Sequence, residues 1–340
     1  MTRIGIISLA HGHAFSYLKA LRAAGVEVRV ADPHATPGEA GRGAAAIEGT
    51  GAGWSASLDE LFAWRPDGVI VCSENVRHRD HTEAALAAGA HVLCEKPMAT
   101  SVADAAAMVR AADTAGRRLM IAHPVRFSTA FTSLRAAIER GDLGDLLAVT
   151  GTNNGKVPGD RPWFTDPELA GGGAVTDHTV HVIDLMDALL HGDSPVSVHA
   201  RANRLLHPES AVETAGLVQV RYAGGVLVTI DCSWSRPADY PTWGGLTLDV
   251  VGADGLARMD AFGTRVDGHI TGRGQAWLPY GDDMDAALVA EFLQVVRTGD
   301  EPQPDGRAGL RGTAIVHAAY TSIRTGEVVT IDPAALSPGG

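Results

Sequence analysis

Cysteine is scarce in this chain, and its few cysteines are not spaced as a metal or disulfide framework. Cys72, Cys94 and Cys232 are the only three in 340 residues. Three cysteines cannot pair completely, and no two of them form a C-x-x-C motif, so neither a disulfide scaffold nor a zinc ribbon is indicated. We therefore expect the protein to occupy the reducing cytoplasm.

Long apolar runs and excess basic charge are also missing. No stretch approaches the roughly 18 apolar residues of a membrane span, and the short run at residues 4–7 indicates a buried strand because it lacks the apolar core of a signal peptide. The 28 basic residues are outnumbered by 40 acidic ones, which gives a net charge of -12. Because like charges repel, a phosphate backbone is a poor ligand. We expect neither membrane nor nucleic acid as a partner.

The chain does contain a regular alternation of short β-branched runs and helical segments between residues 3 and 122. This alternation predicts an α/β protein with an N-terminal, doubly wound parallel Rossmann sheet at residues 1–123. Runs of β character between residues 195 and 270, followed by helical patterns, predict a C-terminal α+β domain with a mostly antiparallel sheet over residues 124–332. Residues 333–340, rich in proline and glycine, are expected to be a disordered tail.

The turn after the first predicted strand lacks the glycines that usually surround a dinucleotide pyrophosphate. The G-x-G-x-x-G spacing falls on Ser8, Ala10 and His13, and only Gly12 adds a flexible position. Small residues still permit close backbone approach, and the N-terminus of the following helix attracts anions. We therefore expect the cofactor to contact this turn at Ser8, Ala10, His11, Gly12 and His13.

Asp32 ends the second predicted strand, about 20 residues past this turn, where a carboxylate can accept hydrogen bonds from a ribose diol. The same charge would repel a 2'-phosphate. The position therefore favours NAD over NADP as cofactor. The structural alternative is that Asp32 only caps a turn before Pro33.

Lys96 follows the predicted strand that ends at Cys94, and the carboxyl ends of parallel strands are where such sheets bind ligands. Its ammonium could stabilise a developing alkoxide. Without other support, Lys96 would be interpreted as a surface lysine at a strand end.

A predicted helix beyond Gly171-Gly172-Gly173 carries Asp177, His178 and His181. Asp177 and His181 are four residues apart and share one helix face, so they can meet one substrate. His181 could take a hydroxyl proton, with Asp177 orienting it or holding a neighbouring hydroxyl. The alternative is an amphipathic helix with an acidic first turn and a core histidine.

The chain resembles the Gfo/Idh/MocA oxidoreductases, which include glucose-fructose oxidoreductase and inositol dehydrogenase, over nearly its whole length. Three motifs in this order carry the resemblance: the stretch from Ser73-Glu74-Asn75 to His78, the Glu95-Lys96-Pro97 segment, and Gly171-Gly172-Gly173 through Asp177 and His181 to Asp184. The turn after the first strand departs from the family because it has lost its glycines. The resemblance implies a Rossmann domain, an open-faced sheet in a substrate and oligomerisation domain, and a homodimer or homotetramer. It assigns catalysis to Lys96, Asp177 and His181. It adds cofactor contacts, again including Lys96, at Ser73, Glu74, Asn75, His78 and Glu95. Glu74 departs from the family, which usually has proline there.

The substrate hydroxyls are expected to meet side chains of the second domain. These expected substrate contacts are Arg126, Asn154, Lys156, Trp163 and His178. The sequence therefore predicts an NAD-dependent oxidoreductase that acts on a hydroxyl or carbonyl of a sugar, a sugar derivative or a cyclitol.

Three other functions fit parts of this pattern. A tightly held, recycled NAD would make the net reaction redox-neutral, such as an epimerisation, an elimination or a glycoside cleavage. The histidines at 11, 13, 178 and 181 with Asp177 could form the site of a metal-dependent hydrolase, but that signature requires a barrel of parallel strands, and we expect no metal. A cofactor-binding protein without catalysis is the third alternative.

Overall fold

The computed structural model describes residues 1–36, 38–272, 274–281 and 283–338. Its N-terminal part is a six-stranded parallel sheet with helices on both faces, in the strand order β3-β2-β1-β4-β5-β6. The strands are β1 (Arg3–Ile7), β2 (Glu27–Ala31), β3 (Gly53–Trp54), β4 (Gly68–Val71), β5 (His91–Glu95) and β6 (Leu119–Ala122). The helices are α1 (His13–Ala23), α2 (Leu58–Ala63), α3 (His78–Ala87) and α4 (Val102–Ala115). The predicted doubly wound Rossmann sheet is confirmed.

The second sheet has seven strands in the order β12-β11-β7-β10-β9-β8-β15. Its strands and the helices between them are α5 (Thr129–Glu139), β7 (Leu146–Gly155), α6 (Pro167–Ala170), α7 (Ala174–Leu189), β8 (Pro195–Asn203), β9 (Ala215–Tyr222), β10 (Leu227–Asp231), β11 (Gly244–Gly252) and β12 (Leu256–Asp260). A separate hairpin follows, with strands β13 (Arg265–Ile270) and β14 (Gly274–Pro279). The chain then forms α8 (Met284–Thr298), α9 (Gly306–Thr325) and β15 (Val329–Thr330).

Within this sheet β7 and β10 are parallel, and the other neighbouring strands are antiparallel. The mostly antiparallel second sheet is therefore confirmed. Along β9 the side chains alternate between buried and exposed, as expected when one sheet face is packed and the other open. Helix α7 packs on the covered face, and nearly all of its residues are buried.

The C-terminal helices return to the first sheet. Phe292 and Leu293 of α8 share a hydrophobic core with Ile4 and Ile6 of β1, and Leu310 of α9 joins the core on the opposite face of that sheet. Periodicity predicted both helices, but amphipathic spacing does not specify which sheet a helix covers. The first sheet therefore receives part of its cover from residues far along the chain.

The C-terminal tail, the openness of the sheets and the apolarity of the helices bear on three sequence expectations. The predicted disordered tail begins with a 3-10 helix at Pro333–Leu336, and residues 339–340 lie outside the described part of the chain. Both main sheets are open in the described residues, so the parallel barrel that the metal-dependent hydrolase hypothesis requires is not formed. Among the described helices, none combines the length and apolarity needed to cross a bilayer.

Candidate active site

A cavity of about 930 Å³ lies between the two sheets, and we call it the inter-sheet cavity. The turn after β1 contributes His11, Gly12 and His13 to its wall. Lys96, just after β5, comes from the same sheet, whereas α7 supplies Asp177, His178 and His181 from the other side. The three predicted catalytic residues therefore border one space.

Lys96 and Asp177 form a buried ion pair across this cavity wall. Nζ of Lys96 lies 2.6 Å from Oδ1 of Asp177, and only 5% and 6% of the two residues is exposed. Trp234 Nε1 donates to the other carboxylate oxygen at 3.1 Å. Burial alone would raise the pKa of Asp177, but the Lys96 ammonium outweighs it and holds that pKa well below its usual range. Asp177 is thus a fixed anion that orients the ammonium.

His181 presents an unpaired ring nitrogen beside this ion pair. Its Nδ1 is buried and has no hydrogen-bond partner among the described residues. Its ring centroid lies 5.6 Å from that of His123 in an edge-on contact. Burial, and then the nearby Lys96 charge, lower the pKa of His181 well below its ordinary value. A neutral imidazole at neutral pH is the form that accepts a proton.

His178 lies next to Asp177 and borders the same cavity. Its Nε2 is 3.3 Å from Oδ2 of Asp177, and its Nδ1 is 3.1 Å from the carbonyl oxygen of Cys232. Gly155 on β7 leaves room for this ring, because a Cβ at that position would lie 2.8 Å from His178 Cε1. The sequence expectation that His178 borders the substrate space is consistent with this position.

The N-terminus of α7 is held by a carboxylate from the loop that precedes β9. Glu213 Oε1 accepts the N–H groups of Gly173 and Val175, each at 3.0 Å, and the Tyr320 hydroxyl at 2.6 Å. A side chain at Gly172 would collide with that hydroxyl. These contacts fix the helix that carries the acid and base groups, and they explain the glycines before it.

The turn after β1 fits the phosphates of a dinucleotide. Helix α1 has no side-chain cap at Gly12, and its first N–H groups make only turn contacts with His11 and Gly12. The helix dipole favours an anion at this end. A Cβ at Gly12 would meet nothing closer than Arg161 Nη1 at 3.9 Å, so the turn is uncrowded. Ser8 adopts a φ of 73°, and its hydroxyl donates to Asp32.

Several polar side chains lie in the segment that follows β4. Asn75 Oδ1 is buried without a hydrogen-bond partner among the described residues, whereas Glu74 Oε2 lies 3.3 Å from Arg77 Nε. Asn75 also donates to the carbonyl of Ala170, and His78 lies between the carbonyls of Ser73 and Pro97 at 3.0 and 2.9 Å. His78 therefore ties two strand-end loops together and has no free ring nitrogen for a cofactor.

Asp32 is not a free carboxylate, contrary to its simplest interpretation. Arg42 binds it through two nitrogens, with Nη2 at 2.6 Å and Nε at 3.0 Å from its oxygens. Arg42 Nη1 also donates to Glu74 at 2.8 Å. Burial would raise the pKa of Asp32, but the hydrogen bonds and charge of Arg42, together with hydrogen bonds from Ser8 and the Gly43 N–H, lower it below its usual value. No sequence motif indicated Arg42, because it lies in a loop ten residues beyond Asp32.

Four of the five expected substrate contacts do not line the inter-sheet cavity. Arg126 is paired with Asp184 at 2.8 Å, and Lys156 donates to the Ala238 carbonyl. Trp163 Nε1 donates to the Ala10 carbonyl at 3.0 Å, and Asn154 donates to that of Ser233. These side chains fix loops and helices. Three neighbours of these residues do line the cavity: Arg161, Asn153 and Phe164. The sequence patterns selected neither Asn153 nor Phe164.

Both parts of the chain match known protein families. Residues 4–123 match the family described as "Oxidoreductase family, NAD-binding Rossmann fold", and residues 131–258 match the "GFO/IDH/MocA C-terminal domain". The 1,5-anhydro-D-fructose reductase of Ensifer adhaerens is 30% identical over 341 residues, which span 98% of this chain and 99% of that protein. Inositol 2-dehydrogenase of Rhizobium meliloti is 28% identical over 78% of this chain and 81% of its own length.

The fold is also found among solved structures. GenD2 from gentamicin A biosynthesis, crystallised in complex with NAD, aligns with a TM-score of 0.84 and 24% identity. The alignment covers 97% of this chain and 96% of GenD2. The two-sheet arrangement is therefore shared along nearly the whole of both chains.

Proposed function

The chain belongs to the Gfo/Idh/MocA family of NAD-binding oxidoreductases acting on CH–OH groups, and we propose that it interconverts a secondary hydroxyl and a carbonyl of a sugar, a sugar derivative or a cyclitol. The observation that carries this proposal is the 2.6 Å contact between Lys96 and Asp177 at the wall of the inter-sheet cavity, which His181 also lines. An oriented ammonium can stabilise the alkoxide, and a neutral imidazole can accept the proton, in the oxidation of an alcohol.

Each residue has a separate task in this proposal. The Lys96 ammonium donates a hydrogen bond to the substrate oxygen and stabilises the negative charge that develops on it. Asp177 keeps the ammonium charged and aimed, with Trp234 holding the second carboxylate oxygen. His181 accepts the hydroxyl proton in oxidation and returns it in reduction. When bound, the nicotinamide cofactor supplies the hydride acceptor or donor.

The cofactor would lie along the carboxyl ends of the first sheet. The turn at Ser8, Ala10 and Gly12, with the start of α1, would hold the pyrophosphate. Asp32 would lie at the adenosine ribose, and the groups after β4, Glu74 and Asn75, would meet the rest of the dinucleotide.

We propose NAD as the preferred cofactor, and Asp32 and Arg42 as the pair that sets this preference. Asp32→Ala removes a negative charge and leaves Nε and Nη2 of Arg42 without their carboxylate partner, so that they can bind a 2'-phosphate. Catalytic efficiency with NADP relative to NAD should therefore rise on the order of tenfold or more, about 1.4 kcal/mol. Steady-state kinetics with both cofactors measure the ratio. The double variant Asp32→Ala/Arg42→Ala is the matched control and should lose most of the gain. A wild type that already prefers NADP would contradict the assignment.

The reaction itself is tested with a substrate panel. Sugars, sugar acids and inositols are incubated with NAD and separately with NADP, and the reduced nicotinamide is followed by its absorbance. We expect at least one polyol class to give turnover that Asp177→Asn lowers, since that variant weakens the hold on Lys96. If the purified protein turns over no polyol or keto sugar with either cofactor, the proposal fails.

We further propose that the protein is a homodimer or homotetramer that associates through the open face of the second sheet. That face exposes apolar side chains on neighbouring strands, with Leu217, Leu227 and Val251 each at least 45% exposed. We also propose that the domains divide into residues 1–123 and 124–332. We propose a cytoplasmic location as well, which is in keeping with three free buried cysteines.

A further inference from the structure

Three groups that commonly bind metals meet beside the turn after β1. His11 lies in that turn, His13 begins α1, and Glu95 ends β5. One ligand atom of each lies within 4.8 Å of the other two. Nδ1 of His13 is 3.0 Å and Nδ1 of His11 is 3.7 Å from the same oxygen of Glu95. Tetrahedral ligands about 2.1 Å from a zinc ion lie about 3.4 Å apart, so small side-chain movements suffice to bind one.

The carboxylate of this cluster is held in place by further contacts. Glu95 is fully buried, the Tyr17 hydroxyl donates to its Oε1 at 2.6 Å, and the Lys96 N–H donates to its Oε2 at 3.1 Å. Metal-binding carboxylates typically have such outer partners, which fix the orientation of the ligand.

The two imidazoles make few other polar contacts, the hydroxyl of Tyr17 lying 3.3 Å from His13 Nδ1. His11 is 2% exposed and its Nε2 has no partner, while its Nδ1 accepts only a long 3.3 Å contact from the His13 N–H. His13 is one-third exposed and borders the inter-sheet cavity. A pyrophosphate turn requires small residues and needs neither imidazole. The cluster is thus closed on the side of Glu95 and open toward the cavity.

We propose that His11, His13 and Glu95 bind one divalent transition-metal ion of the zinc class, with three protein ligands and a fourth position open to the inter-sheet cavity. Three-ligand sites of this kind leave a position for water or a substrate oxygen. The site departs from our sequence expectation that no metal is bound. It also differs from the hydrolase hypothesis, because Asp177 and His178 take no part in it: their polar groups contact Lys96, Trp234 and the Cys232 carbonyl.

The test is a titration of the full-length, cofactor-free protein with zinc chloride, followed by calorimetry and by competition with a chromophoric chelator. We expect one zinc ion per chain. His13→Ala and Glu95→Gln each remove a ligand and should each raise the dissociation constant for zinc by at least about 100-fold, which is the upper end of what loss of an outer-shell partner costs. Tyr17→Phe removes such an outer partner and should raise it by about tenfold. His317→Ala, which removes an exposed histidine of α9, is the matched control and should bind zinc as the wild type does.

Loss of metal binding is distinguished from loss of folding and from loss of oxidoreductase activity. Glu95→Gln keeps the size of the side chain, and circular dichroism checks that each variant is folded. Binding below one ion per chain, or unchanged affinity in the folded double variant His11→Ala/His13→Ala, would overturn the site. Polyol turnover is measured separately, so failure of the zinc titration leaves the proposed oxidoreductase activity standing, and the reverse also holds.

Discussion

Replacing Lys96 by methionine is expected to lower turnover by about two to four orders of magnitude while cofactor affinity stays largely intact. Methionine fills similar space but has no charge to place on the substrate oxygen. In the protein, that charge lies 2.6 Å from Asp177 and is aimed by it. Steady-state kinetics give the turnover number, and fluorescence titration with the reduced cofactor gives its dissociation constant.

The same substitution also affects stability, and this effect must be separated from catalysis. Loss of Lys96 leaves the Asp177 carboxylate buried without its counter-ion, which typically costs about 3–5 kcal/mol. The double variant Lys96→Met/Asp177→Asn removes the stranded charge, and Trp234 can still donate to the new amide oxygen. We expect it to regain most of the free energy of unfolding, measured in urea, but not the turnover. A double variant that regains both would show that Lys96 serves only as a counter-ion.

Local sequence patterns predicted the elements that carry the chemistry. The alternation between residues 3 and 122 predicted the helices of the first sheet, and in α4 the structure shows Ser101 capping the start and Gly116 ending the helix in a left-handed conformation. Lys96 was found because it follows a buried parallel strand, and Asp177 with His181 because four-residue spacing places them on one helix face. These signals are all contained within a few residues of sequence.

Contacts between distant segments could not be predicted in this way. Trp234 reaches Asp177 across 57 residues, and Tyr320 reaches Glu213 across 107. Neither pair has a spacing rule, since the first depends on how the segment after β10 packs against α7 and the second on how the loop before β9 meets α9. Arg42 is closer in sequence to Asp32, yet it lies in a loop whose path is set by tertiary contacts.

A shift of one residue along β7 decides which asparagine side chain lines the inter-sheet cavity. Asn153 and Asn154 are adjacent on β7, and successive side chains of a strand point to opposite faces. Asn153 lines the inter-sheet cavity, whereas Asn154 donates to the Ser233 carbonyl. The sequence Thr-Asn-Asn carries no apolar alternation that would identify the inward residue, so the choice between the two was undetermined until the sheet was known.

Replacing His181 by alanine is expected to lower turnover in the oxidation direction by about two to four orders of magnitude and to remove the acid limb of the pH profile. The folded protein holds the pKa of His181 well below 6.5, through burial first and the Lys96 charge second. The wild-type kcat should therefore stay level as the pH falls through 6.5 and decline only at lower pH, where the imidazole becomes protonated and can no longer accept the hydroxyl proton.

The matched control for this substitution is His123→Ala. The His123 ring packs edge-on against the His181 ring, and burial lowers the pKa of His123 as well. Unlike His181, however, His123 does not line the inter-sheet cavity. A general packing effect of losing a buried imidazole would appear in both variants, whereas loss of the base would appear only in His181→Ala. We expect His123→Ala to retain the acid limb and to lose less than about tenfold in turnover. An acid limb that survives in His181→Ala would instead assign it to another group, and the remaining candidate that borders the cavity beside Asp177 is His178, whose pKa is likewise lowered by burial.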